Sequence, residues 1–201
     1  MCRSQNTTSL FRLACRREDA VTILRTAVSA EVEGRGRIME STPDTASAIE
    51  RIAELMTSDS GKFGIMFCGQ CGNGKSTMAK AIGRAVRFLS LKGCYENPNL
   101  RILFHSAKGL VTLDKEALRH AAHQILLAIE DLGEEPKERL EYGNVSSPVV
   151  DVLEYRYDNR LFTVVTTNLT PAQIAEKYGK RISDRFREMF EVIVFTGKSF
   201  R

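Results

Sequence analysis

Apolar residues along this chain change their period several times, and each change marks an element. Between Arg17 and Glu33, Val21, Leu24, Ala27 and Val28 recur at helical spacing among charged neighbours, which predicts an amphipathic helix. Glu33-Gly34-Arg35-Gly36-Arg37 breaks that pattern and reads as a linker. Thr42-Pro43-Asp44 joins a capping hydroxyl to a proline suited to the first helical position, so a second helix starts there. Ile49, Ile52, Ala53, Leu55 and Met56 give it an apolar face, and Ser58-Asp59-Ser60-Gly61 ends it. From residue 63 onward, short apolar runs alternate with longer segments of helical period. The runs at 63–68, 101–105, 124–129, 161–166 and 191–195 predict strands. The intervening segments 74–91, 107–122, 147–157, 171–178 and 181–190 predict helices. Ile125-Leu126-Leu127-Ala128-Ile129 and Leu161-Phe162-Thr163-Val164-Val165 are almost unbroken apolar runs, as expected of parallel strands covered on both faces. The alternation predicts a three-layer α/β domain with a mostly parallel sheet. The division expected is an N-terminal segment, 1–41, with a short helix and the linker, followed by the α/β domain, 42–201.

The first strand runs into Gly69-Gln70-Cys71-Gly72-Asn73-Gly74-Lys75-Ser76, which fits G-x-x-x-x-G-K-[ST] at every fixed position. Its setting between a strand and a helix is the one that gives this pattern physical meaning. The glycines let the backbone turn tightly and bring its N–H groups to an anion. Lys75 reaches β- and γ-phosphates, the Ser76 hydroxyl ligates Mg²⁺, and the helix that takes in Thr77 points its positive end at the same phosphates. Residues 69–77 are therefore the expected nucleotide cradle, at the carboxyl end of a strand where ligands of open α/β sheets bind.

Three further elements turn binding into hydrolysis. The strand 125–129 ends in Glu130-Asp131, the shape of a Walker B element, in which one carboxylate holds Mg²⁺ and the next orients or deprotonates the attacking water. By position Glu130 takes the metal and Asp131 the water, although the Glu-then-Asp order reverses the usual side-chain lengths. Val164-Val165-Thr166-Thr167-Asn168 is an apolar strand with an amide at its polar end, so Asn168 is set to bond a γ-phosphate or the lytic water. Lys180-Arg181-Ile182-Ser183-Asp184-Arg185-Phe186-Arg187 is an amphipathic helix with a basic face; in an oligomer, such an arginine stabilises transition-state charge in the neighbour's site.

Composition narrows the classes. The 201 residues carry a net charge of +4, a mild basic bias compatible with nucleic acid without requiring it. No apolar run approaches membrane-spanning length and the N-terminus lacks a signal-peptide core, so a cytoplasmic location is expected. The five cysteines are scattered, which fits a reducing compartment better than a disulfide framework. Cys68 and Cys71 form a C-x-x-C without a second pair, inside the phosphate loop, and His120 and His123 stand without further ligands, so no zinc site is expected.

Taken together, residues 69–76, 125–133, 164–170 and 178–186 resemble the ATPase domain of DnaC-type replicative helicase loaders and the related IstB-type transposition helpers, both of the AAA+ superfamily. The resemblance spans roughly three quarters of the chain. It implies a Rossmann-like P-loop AAA+ core with a five-stranded sheet, ATP and Mg²⁺ as cofactors, Arg185 as the arginine finger with Arg181 as its near alternative, and ATP-dependent homo-oligomers. Single-stranded DNA and a replicative helicase are the partners implied for a loader, and a transposase and duplex DNA for a helper. A nucleotide-dependent scaffold with little hydrolysis is a further alternative, and a small-molecule kinase, which the phosphate loop alone would allow, is opposed by the Thr-Asn strand end and the Arg181/Arg185 helix, neither of which provides an acceptor pocket. The segment before residue 42 lacks the Cys/His cluster that some loaders use to bind the helicase.

Overall fold

The computed structural model describes residues 10–39, 42–136, 139–141 and 144–195. In chain order its elements are α1 (Arg17–Glu33), α2 (Pro43–Thr57), β1 (Gly64–Gly69), α3 (Lys75–Leu91), β2 (Leu103–Ser106), α4 (Ala107–Thr112), α5 (Lys115–His123), β3 (Leu126–Leu132), β4 (Arg139–Glu141), β5 (Asn144–Ser146), α6 (Pro148–Asp158), β6 (Phe162–Thr167), α7 (Pro171–Tyr178), α8 (Lys180–Met189) and β7 (Phe190–Phe195). The first nine residues of the N-terminal segment and residues 196–201 lie outside the described residues.

Five strands form one sheet in the order β2-β3-β6-β1-β7, and every pairing within it is parallel. Side chains alternate between its faces. Ile65, Phe67, Leu126, Ala128 and Val164 face a core shared with α1, α2 and α3, whereas Met66, Leu127, Ile129 and Val165 face one shared with α4 to α8. Helix α1 is part of the first layer: Ala20, Leu24, Ala27 and Val28 are buried in the same cluster as Ile49, Ile52, Ala81, Ile82 and Ala85. Its carboxyl end therefore lies close to the start of α3, which shapes the site described below.

Three local departures from the sequence expectation have clear causes. The segment 107–122 is two helices rather than one, because Ser106 caps α4 by accepting the Gly109 N–H (2.9 Å) and Asp114 restarts the chain as α5 by accepting the Ala117 N–H (2.8 Å). Strand β3 starts two residues later than the predicted strand 124–129 and continues through the acids to Leu132. A small antiparallel pair, β4 with β5, was not expected from the pattern.

Arg156 of α6 is fully buried, also unannounced by periodicity. Its guanidinium donates to the carbonyls of Ala122 (3.0 Å), Gln124 (2.6 Å) and Phe162 (2.6 Å) and to the Thr163 hydroxyl (2.8 Å). These bonds tie the end of α5 and the start of β6 to α6. Burial pulls its ionisation down to about 9, which leaves it charged at neutral pH.

Candidate nucleotide-binding site

Beyond the carboxyl ends of β1, β3 and β6 lies a cavity of about 730 Å³. Cys71 through Met78 form its floor, Asp131, Glu134 and Asn168 one side, and Val28, Val32, Arg35, Arg37, Ile38, Met39 and Thr45 the other. The loop fits an anion for local reasons. Gly74 caps α3 in a left-handed conformation (φ 93°) with no side chain over the helix end, so the first N–H groups of α3 have no intrahelical partner. Gly69 leaves no room for a methyl group: a Cβ there would lie 2.4 Å from the Phe195 carbonyl and 2.6 Å from Asn73 Nδ2. That crowding reflects an anchor, because Asn73 Nδ2 donates to the Phe195 carbonyl (2.8 Å) and fastens the loop to the end of β7.

Lys75 is the positive charge at the centre. Its Nζ donates to the carbonyls of Gly69 and Gln70 (2.7 Å each), to Asn168 Oδ1 (2.9 Å) and to Asn73 Oδ1 (3.3 Å). These four acceptors are neutral oxygens. Burial holds its pKa below the ordinary lysine value, with the nearby Cys71 and Asp131 opposing that shift. A buried ammonium held by weak neutral acceptors is a ready partner for a phosphate, which gives it a charge-assisted bond.

Asp131 sits in the left-handed region (φ 56°), uncommon for a residue with a side chain. The pairing of β3 with β6 shifts between Ile129 and Leu132, and the Asp131 N–H finds the Thr166 hydroxyl instead (3.0 Å). The bulge turns Asp131 onto the cavity wall. Glu130 is half-buried in register with Ser106 of β2 and is not among the lining residues.

The sequence-derived residues thus divide into two groups. Cys71, Gly72, Asn73, Gly74, Lys75, Ser76, Thr77, Asp131 and Asn168 share the cavity, and Gly69 and Gln70 support it through Lys75. Arg181 and Arg185 do not line it. Both engage Glu154 of α6, at 2.8 Å and 3.0 Å, and Arg185 also approaches Asp158 (3.6 Å) and lies over the Tyr157 ring (4.9 Å). The Arg185 contact lacks hydrogen-bond alignment, leaving its enclosed Nη1 without an acceptor. Arg181 is 72% exposed and Arg185 21%.

The wall from α1 and the segment after it was missed by sequence reasoning. Arg35 donates to the Thr77 hydroxyl (2.9 Å) and pairs with Glu31 (3.5 Å), and Glu31 in turn holds Arg84 of α3. Ile38, 91% exposed, presents its side chain at the cavity mouth. The available signal was the helical apolar face of α1, which had to pack on something; its target was not readable from spacing.

No sequence-family model matches the chain, and no curated protein matches it. Solved structures do. The fold is shared with the structure of AMPPCP-bound DnaA from Aquifex aeolicus, which superimposes with TM-score 0.52 at 17% identity over 77% of this chain and 48% of that one. More particularly, it is similar to the DnaC helicase loader (TM-score 0.58, 24% identity, 79% of this chain and 93% of that chain) and to DnaI (0.60, 23%, 88% and 93%). At these identities the likeness establishes the fold. Among the described residues no helix is long and apolar enough to cross a membrane.

Proposed function

We propose that the chain is an ATP-binding and ATP-hydrolysing AAA+ protein that acts on DNA as a replicative helicase loader of the DnaC type. The observation that carries the reading is the cavity, in which the buried Lys75, the open start of α3, Asp131 and Asn168 converge. The likeness to DnaC and DnaI, both covered over almost their full length, supports the loader over other uses of the fold.

The donor set suits a magnesium nucleotide. Among the described residues no cluster of three or more His, Cys, Asp or Glu could hold a metal. Mg²⁺ bound with a nucleotide takes one or two protein oxygens and completes its shell from phosphates and water. Ser76 and Asp131, which line the cavity, would supply those oxygens, whereas Glu130, expected from its position in sequence to take the metal, does not line it. ATP with its ion supplies the transferable phosphoryl group and neutralises its charge. Lys75 exchanges the Gly69 and Gln70 carbonyls for phosphate oxygens, and the N–H groups at the start of α3 cradle the rest. Asp131 orients water and accepts its proton, while Asn168 fixes the Lys75 ammonium. Val28, Val32, Ile38 and Met39 enclose the base.

Arg181 and Arg185 serve a neighbour's site, and their position away from their own cavity supports action in trans. Sizing the protein with and without a non-hydrolysable ATP analogue, in the presence of single-stranded or duplex DNA at matched salt, tests the proposal. Analogue-dependent assembly with a preference for single strands is expected. Assembly on duplex alone points to a transposition helper, and analogue-independent size refutes the reading.

A further inference from the structure

Just past the acids, a charged side chain is buried with no role in the site above. Glu135 is 4% exposed. Its Oε2 accepts the Gly133 N–H (2.8 Å), its Oε1 accepts the Tyr178 hydroxyl, and Lys177 Nζ lies 3.4 Å from Oε1. The same Lys177 Nζ donates to the carbonyls of Gly133 and Glu135 (2.6 Å to the latter). Burying a carboxylate with an ammonium is a poor way to gain stability, because desolvation offsets most of the attraction. What the arrangement provides is a rigid tie between two particular pieces of backbone.

One piece is the loop that carries Asp131. Asp131 is fixed by Thr166, the next carbonyl, that of Leu132, accepts from the Thr167 hydroxyl (2.6 Å), and Gly133 and Glu135 follow directly. A main-chain shift at Asp131 is passed directly to residues 132–135. The other piece is the end of α7. Lys177 and Tyr178 are its last residues, Gly179 (φ 86°) joins it to α8, and the Tyr178 ring packs near Phe186 of α8 at 6.3 Å. Helix α8 carries Arg181 and Arg185.

We propose that Glu135, Lys177 and Tyr178 are positioning residues that couple occupancy of the cavity to the placement of α8, and so to the presentation of Arg181 and Arg185. This rests on reading the cavity as a nucleotide site. A charged ligand that draws on Asp131 pulls the 132–135 loop, and the tie carries the displacement to the Gly179 joint.

Hydrogen–deuterium exchange of the full chain, at a concentration where scattering reports monomer, tests it with and without a non-hydrolysable ATP analogue and Mg²⁺. The variants are Glu135→Gln and Tyr178→Phe; the latter removes one hydroxyl, keeps the ring and covers the case in which Glu135→Gln folds poorly. In the unmodified chain the analogue slows exchange in residues 69–77 and also in 179–189. In either variant the first protection stays and the second falls at least about fivefold, the lower range of coupling between sites. Protection of 179–189 that survives both substitutions overturns the proposal, as does protection of 69–77 without any at 179–189 in the unmodified chain. No protection at 69–77 in the unmodified chain removes the nucleotide reading itself.

Discussion

Replacing Asp131 by asparagine isolates one charge in the cavity. Alanine would be the wrong probe: at φ 56° a residue without a short polar side chain costs about 1–2 kcal/mol, whereas Asn tolerates this region as Asp does. The backbone bond from residue 131 to the Thr166 hydroxyl involves the main-chain N–H and persists. The side chain is exposed, so the stability change stays within about 0.5 kcal/mol, or about 2 °C in Tm for a chain of this size. Binding should change little, since Lys75 and the start of α3 remain. Hydrolysis should fall about 100-fold or more, the usual contribution of a positioned general base. The assay pairs ATP-analogue titration with single-turnover phosphate release. Turnover that is unchanged in Asp131→Asn, with binding intact, refutes the placement of the base, and a parallel collapse of Tm refutes the claim that the residue is there for chemistry.

Arg156→Met strips two buried carbonyls, a part-buried one and a hydroxyl of their donors and removes a buried charge; with about 1–3 kcal/mol for each unsatisfied group, partly offset by regained desolvation, we expect a net loss of about 2–4 kcal/mol, read as a drop in the chemical denaturation midpoint. Burial pushes the Tyr95 hydroxyl up to about 12. Its folded pKa is raised, so its contribution is fully present below about pH 10, the unfolded value, and is lost as pH climbs toward 12; Tyr95→Phe should flatten the alkaline fall in stability. The exposed Cys71 thiol lies on the cavity wall, whereas Cys68 is buried. Alkylation should therefore label Cys71, abolish nucleotide binding and be slowed by ATP with Mg²⁺, and peptide mapping by mass spectrometry reads this directly; equal labelling with and without nucleotide contradicts the site.

Much of this architecture is written locally. The apolar residues Leu126–Ile129 lie in a strand buried on both faces, and Thr42-Pro43 opens α2 with the Thr42 hydroxyl as its cap. The phosphate loop is legible because its chemistry resides in consecutive residues whose spacing is fixed by one turn. What escaped is what depends on contacts between distant segments. The break at Asp114 was available as a cap signal but competes with a helical period running through it. Whether Glu130 or Asp131 meets the cavity depends on a bulge made by the pairing of β3 with Thr166, and the adjacent acids look alike in sequence. The wall formed by Val28, Val32, Ile38 and Met39 depends on where α1 docks, and the burial of Arg156 and Glu135 runs against composition altogether.

The central claim is that this cavity binds ATP through Lys75. Equilibrium titration of the purified chain with a fluorescent ATP analogue and Mg²⁺, repeated with Lys75→Ala, tests it most directly. The account predicts saturable binding that weakens about 10- to 100-fold in the variant, as expected when one charge-assisted bond to phosphate is removed. Binding that is absent from the unmodified chain, or that is indifferent to Lys75→Ala, would contradict it.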